Sequence, residues 1–291
     1  MLEKIKSVYI LKGIFENLSK VKNLKISHRN KYLNNHLDIT VNNYKEAHEY
    51  IEIKLKLSEN YNDYKDKYFM HINLDDRNLN GFEIYFDGKK LDKIVETVEG
   101  FKSVSNILIR IKPNIHSLHS LFENCKIIKE INVINCLRRD LINTSYMFYD
   151  CSGLEKLDVE RLKVDNVTDM SYMFFGCSSL KELILYRYIT KQAINMEGMF
   201  GECYNLENLD ITSFDTDEVT NMSKMFYEDK SLRNLDVKHF NLAKVKFMDK
   251  MFYGCSFCQT FQLFNLQLPP NVNKEKMFSP NFEADINNQP K

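Results

Sequence analysis

Little in this chain favours sharp bends: its 291 residues include only 9 Gly and 5 Pro, and Pro269 and Pro270 are adjacent. That scarcity excludes collagen-like and low-complexity structure and offers no Gly-rich loop to cradle a phosphate. Charge of either sign is not in excess. Lys plus Arg and Asp plus Glu number 40 each, so no global field favours nucleic acid or an anionic membrane. No apolar run reaches the roughly 18 residues of a transmembrane helix. The opening residues Met1 to Ile10 alternate charged with apolar side chains, unlike the unbroken stretch of about 7–15 apolar residues in a secretory leader. The expectation is a cytoplasmic protein without a membrane span, with the cell surface as the alternative. What is present, 44% hydrophobic and 27% charged residues, is enough for a folded repeat domain and a small N-terminal region.

The repeat emerges when the chain is laid against itself. Met-Phe recurs at Met147-Phe148, Met173-Phe174, Met199-Phe200, Met225-Phe226, Met251-Phe252 and Met277-Phe278, with Leu121-Phe122 one step earlier. Every interval is 26 residues, and a fixed period of this size marks stacked supersecondary units. Other positions fall into register. Four residues after the Met stand Cys125, Cys151, Cys177, Cys203, Asp229 and Cys255. Ten after stand Ile131, Leu157, Leu183, Leu209, Leu235 and Phe261, and twelve after stand Val133, Val159, Leu185, Ile211, Val237 and Leu263. The last two positions alternate with polar neighbours, as in Leu157-Asp158-Val159, which predicts a half-buried strand. Apolar residues three and four apart in Met170-Ser171-Tyr172-Met173-Phe174 predict a short helical segment. The fold class expected is therefore an α/β repeat solenoid, with one parallel strand and one short helical segment per unit, preceded by a small helical N-terminal region.

The unit Val164-Asp165-Asn166-Val167-Thr168-Asp169-Met170-Ser171-Tyr172-Met173-Phe174-Phe175-Gly176-Cys177-Ser178-Ser179-Leu180-Lys181-Glu182-Leu183 resembles the BspA-like leucine-rich repeat. It is closest to the 26-residue variant of bacterial and protist surface proteins. The resemblance implies a non-enzymatic protein-interaction scaffold with no catalytic centre, and it names no partner.

The 26-residue pattern fades toward the N-terminus. Ile5, Val8, Ile10, Leu11, Ile14, Phe15 and Leu18 fit one helical face. Ile10-Leu11-Lys12-Gly13-Ile14-Phe15-Glu16-Asn17-Leu18, followed by Arg29-Asn30-Lys31-Tyr32-Leu33, is similar to an F-box, although the usual Leu-Pro opening is missing. That resemblance implies a hook, near Ile5 to Asp38, for the linker subunit of a ubiquitin ligase. The alternative is a helical cap on the repeats. Four regions follow: 1–60 helical, F-box-like or capping; 61–115 an α/β cap; 116–280 the repeats; 281–291 a polar tail. Within the cap, strands are expected near Tyr68–Leu74, Gly81–Phe86 and Asn106–Ile111, and a helix over Leu91–Phe101.

Candidate chemistry is sparse. The Cys column predicts small buried side chains, and an odd Cys count without a leader argues against a disulfide framework. Cys255 and Cys258 form a Cys-x-x-Cys pair with no second pair, and each occupies a repeat position, so neither it nor His116 with His119 completes a metal-ligand set. Sequons at Asn17, Asn143, Asn166 and Asn221 matter only in a secreted chain. No motif of known catalytic mechanism and no cofactor site is found. The expected function is a scaffold that binds a protein partner through its exposed strand face; the alternatives are an F-box-type substrate receptor and a cell-surface adhesin.

The exposed strand positions single out one unit. Eleven residues after each Met, or after Leu121, stand Asn132, Asp158, Ile184, Asp210, Asp236 and Gln262; thirteen after stand Ile134, Glu160, Tyr186, Thr212, Lys238 and Phe264. Ile184 and Tyr186, followed by Arg187, interrupt a largely polar ladder. Tyr and Arg are enriched among residues that dominate binding energy, and an exposed apolar cluster needs a reason. The predicted contact patch is Glu182, Ile184, Tyr186 and Arg187.

Overall fold

The computed structural model describes residues 49–72, 79–101, 103–233, 235–255 and 268–280. Residues 1–48, which carry the F-box-like stretch, and the polar tail 281–291 lie outside the described residues. A six-stranded mixed sheet has the order β3-β2-β4-β1-β5-β6. Its strands are β1 (Ile51–Leu57), β2 (Phe82–Phe86), β3 (Lys89–Lys90), β4 (Asn106–Ile111), β5 (Ile128–Asn135) and β6 (Lys156–Asp158). A separate parallel pair is formed by β7 (Glu182–Ile184) and β8 (Asn208–Asp210).

Strict alternation explains β1. Ile51, Ile53, Leu55 and Leu57 are buried, while Lys54 and Lys56 between them are exposed. One face thus enters the core and the other meets water. β1 lies antiparallel between β4 and β5, with Ile53 opposite Ile109 on one side and Val133 on the other. It joins the N-terminal strands to the repeats, because β5 in turn pairs in parallel with β6, Ile131 opposite Leu157.

Beyond β5 the chain forms a stack of coils at 26-residue intervals. Parallel bridges run Ser117 to Asn143, Asp169, Asn195, Asn221, Phe247 and Asn273. One apolar core extends from β1 to Met277. Inside it, Phe122, Phe148, Phe174, Phe200, Phe226, Phe252 and Phe278 make a ladder of rings. Successive centroids are 5.5–5.7 Å apart, with planes within 5–11° of parallel. This offset stacking adds about 0.5–1.5 kcal/mol per pair to the burial itself.

The expected α/β solenoid with a helical segment in each unit does not form. Among the described residues the repeats form no α-helical element, and the named helical elements are two 3-10 turns, Tyr61–Asp63 and Leu79–Gly81. The Met-Phe segment shows why. Tyr172 N–H donates to Glu197 O at 2.7 Å, Phe174 to Met199 at 2.9 Å and Gly176 to Gly201 at 2.9 Å, all on the next coil. The intervening Met173, Phe175 and Cys177 donate three residues back, to Met170, Tyr172 and Phe174. Tyr172 (φ 55°) and Gly176 (φ 72°) are left-handed, and a left-handed residue every fourth position cannot belong to a right-handed helix. All these donors are satisfied without one.

The N-terminal region also differs from expectation. Residues 49–60, read as part of a helical region, hold β1. The expected helix over Leu91–Phe101 is absent: Phe69 N–H donates to Glu96 O and Val98 N–H to Lys67 O, so this backbone pairs with the segment 67–69. Near Tyr68–Leu74 the described residues show a single bridge, Tyr68 to Thr97. β2 begins one residue inside the expected Gly81–Phe86 strand, and β4 covers the six residues expected of it.

Candidate interaction face

Among the described residues, those ten and twelve after each Met are buried or, at Leu157, packed against the core, so their neighbours point out. Glu182 and Ile184 lie on β7, and Tyr186 and Arg187 on the turn that follows; all four are exposed. Ile184 is 43% and Tyr186 41% accessible, which leaves a large apolar area in water. The Arg187 guanidinium sits 5.1 Å from the Tyr186 ring centroid and 4.0 Å from Glu160 Oε2. The structure therefore brings the four predicted residues together on one surface.

It also shows a groove beside them, lined in part by residues that the sequence placed on the same ladder but not in the contact patch. The groove, of about 580 Å³, crosses β5, β6 and β7, lined by the apolar Ile131, Leu157 and Ile184, by Glu130, Glu155, Asp158, Glu160 and Glu182, and by Lys156 and Lys181, so acids outnumber bases along it. The ladder is interrupted here, because β6 and β7 belong to different sheets. Asp158 Oδ1 accepts from Glu160 N–H at 3.3 Å. Asp210 Oδ1 accepts from Thr212 Oγ1 at 2.7 Å and from Thr212 N–H at 3.1 Å, and these bonds hold its carboxyl below the usual range. It is ionised at neutral pH. At the other end of the strands, Lys129 pairs with Glu155 at 2.7 Å and Lys56 with Glu130 at 3.2 Å. There the charges largely cancel, whereas the row holding Ile184, with Asp158, Asp210 and Asp236, is left acidic; the row holding Tyr186 balances Glu160 with Lys238.

Elsewhere, reactive side chains are committed to structure. Cys151, Cys177, Cys203 and Cys255 direct their thiols to the carbonyls of Phe122, Phe148, Phe174 and Phe226, at 2.6–3.2 Å. These cysteines are buried, and burial raises the Cys151, Cys177 and Cys203 thiols above their ordinary range. Cys258, the second half of the Cys-x-x-Cys pair, lies outside the described residues. His119 Nδ1 is 2.7 Å from Ser145 Oγ, but Ser145 donates its hydroxyl proton to Asn143 Oδ1 at 2.7 Å. That pairing makes Ser145 an acceptor toward His119, not a nucleophile activated by it. His116 faces Asp140 at 3.1 Å. Among the described residues, no three His, Cys, Asp or Glu are grouped to hold a metal, and no helix is long and apolar enough to cross a membrane.

A family model described as "Mycoplasma protein of unknown function, DUF285" matches residues 97–207, 142–264 and 183–289. The chain belongs to that family. Neither a curated protein nor a solved structure matches it.

Proposed function

We propose that the protein is a non-enzymatic interaction scaffold that docks a protein partner on the outer face of β6, β7 and β8. The observation that carries this reading is the pair Ile184 and Tyr186, each more than two-fifths exposed beside a groove of about 580 Å³. A stacked core does not need these side chains outside it, and leaving them in water costs about 25 cal/mol for each Å² that a partner could cover. Tyr186 with Arg187 stacked on it is the type of anchor that interfaces use. The BspA-like resemblance of the repeats supports the same reading, since that family implies a scaffold.

The test uses the full chain with a photoreactive benzophenone side chain in place of Tyr186, irradiated in an extract of the source cells. A control places the same group at exposed Lys244, far along the repeats. A discrete adduct at position 186 and none at 244 is the expected result. Equal labelling at both positions, or none at 186, overturns the assignment of this face.

A further inference from the structure

We infer that the face binds an extended peptide segment of its partner with the pattern basic–x–apolar–x–basic, running across the coils. The inference rests on the reading above and specifies its partner's chemistry. In register, Asn132 lies opposite Asp158 and Ile184 opposite Asp210. The 26-residue period places Asp158, Ile184 and Asp210 at one repeat position on three successive coils. An exposed isoleucine is thus flanked by an exposed carboxylate on each side. Both aspartates are anchored through Oδ1 alone among the described residues, which leaves each Oδ2 to accept from a ligand. Glu160 adds a third carboxylate next to Tyr186, engaged among the described residues by the 4.0 Å contact with Arg187.

The flanking carboxylates stand two coils apart, on the order of 10 Å at about one strand spacing per coil, with the unpaired β6–β7 step between Asp158 and Ile184. In an extended peptide, alternate side chains face the same way, and residues four apart are about 13 Å apart. The long stems of Lys or Arg let their charges converge over that difference. A peptide lying across the coils then sets its central apolar side chain on Ile184 and Tyr186, and its two cations on Asp158 and Asp210. An acidic segment is repelled, and a basic segment without the central apolar residue leaves Ile184 uncovered. The chain as a whole is neutral, so this preference belongs to the face and not to the molecule's overall field.

The probe is a fluorescent Lys-Thr-Val-Thr-Lys peptide, compared with Glu-Thr-Val-Thr-Glu and Lys-Thr-Ser-Thr-Lys by polarisation, at low salt and at about 0.3 M salt. Saturable binding of the first is expected, with at least about tenfold weaker binding of the other two and weakening at high salt. I184S and the double variant D158N/D210N are each expected to lose about tenfold or more. The asparagines keep the Oδ1 acceptors that hold both turns. D217N/E218Q, which removes two exposed acids after β8, is expected to bind as the parent does. Equal binding of the Val and Ser peptides, or unchanged binding by D158N/D210N, overturns the pattern. If the peptide fails while position 186 still cross-links a protein, the pattern falls and the docking face stands. If both fail, both fall.

Discussion

Asp229 stands where Cys125, Cys151, Cys177, Cys203 and Cys255 stand in the other coils. A thiol suits that site because it is small, tolerates burial and can donate weakly to a carbonyl. A carboxylate does not. Asp229 is fully buried; one oxygen accepts from Cys203 N–H at 2.9 Å, and the other has no partner among the described residues. Burial, with Glu202 adding to it against the Cys203 bond, raises its pKa well above the ordinary 3.8, so the folded protein keeps the proton at pH values where a free carboxyl has lost it. In the unfolded chain it ionises near that ordinary value. Between the two values the folded state therefore binds the extra proton, and stability falls as pH rises, by at most about 1.4 kcal/mol per unit. Asp229→Cys should be more stable than the parent, with a gap that widens as pH rises above the ordinary carboxyl value in urea unfolding. A gap independent of pH would show that the carboxyl is ionised in the folded protein or reaches solvent.

At the scale of the element, close approach of coil to coil sets the turns. A Cβ added to Gly153 would lie 2.0 Å from Lys126 O on the preceding coil. Gly153→Ala must push those coils apart. A cost above about 2 kcal/mol is expected in equilibrium unfolding, beyond the half-unit typical of a surface change, and a neutral effect would mean the coils are looser than described. Half of this architecture is legible in the sequence. The 26-residue period, the buried Phe and Cys columns and strand β4 follow from spacing alone. The alternation Ile51-Glu52-Ile53-Lys54-Leu55-Lys56-Leu57 announces β1 as clearly, but nearby helical patterning draws the reading toward a helix. The Met-Phe segments mislead for a different reason. Apolar residues three and four apart fit a helix, and they fit equally a turn with left-handed residues at its first and fifth places. Asn124, Asp150, Gly176, Gly198 and Gly254 at those places are the sequence signal for the second geometry, because such residues accept positive φ. Tyr146, Tyr172 and Lys224 at equivalent places conceal it. Of the candidate face, Glu182, Ile184, Tyr186 and Arg187 could be read from the ladder. The ladder positions of Asp158, Glu160 and Asp210 could be read as well; the groove beside them could not, since it depends on the break between β6 and β7.

For the whole molecule, stacking separates structure from recognition. Core positions are filled nearly the same way in every coil, and the outward strand positions are free to vary, so binding chemistry can be written on the face with little effect on the fold. Substitutions at exposed residues there should change stability by about 0.5 kcal/mol or less each, while changing what the face holds. The most direct check is a competition experiment on the cross-link formed at position 186. Excess unlabelled parent protein should suppress the adduct. Excess I184S/Y186S, folded and melting within a few degrees of the parent, about what two small surface changes permit, should leave it intact. Equal suppression by the two would contradict the account, because the partner would then be held by some other surface.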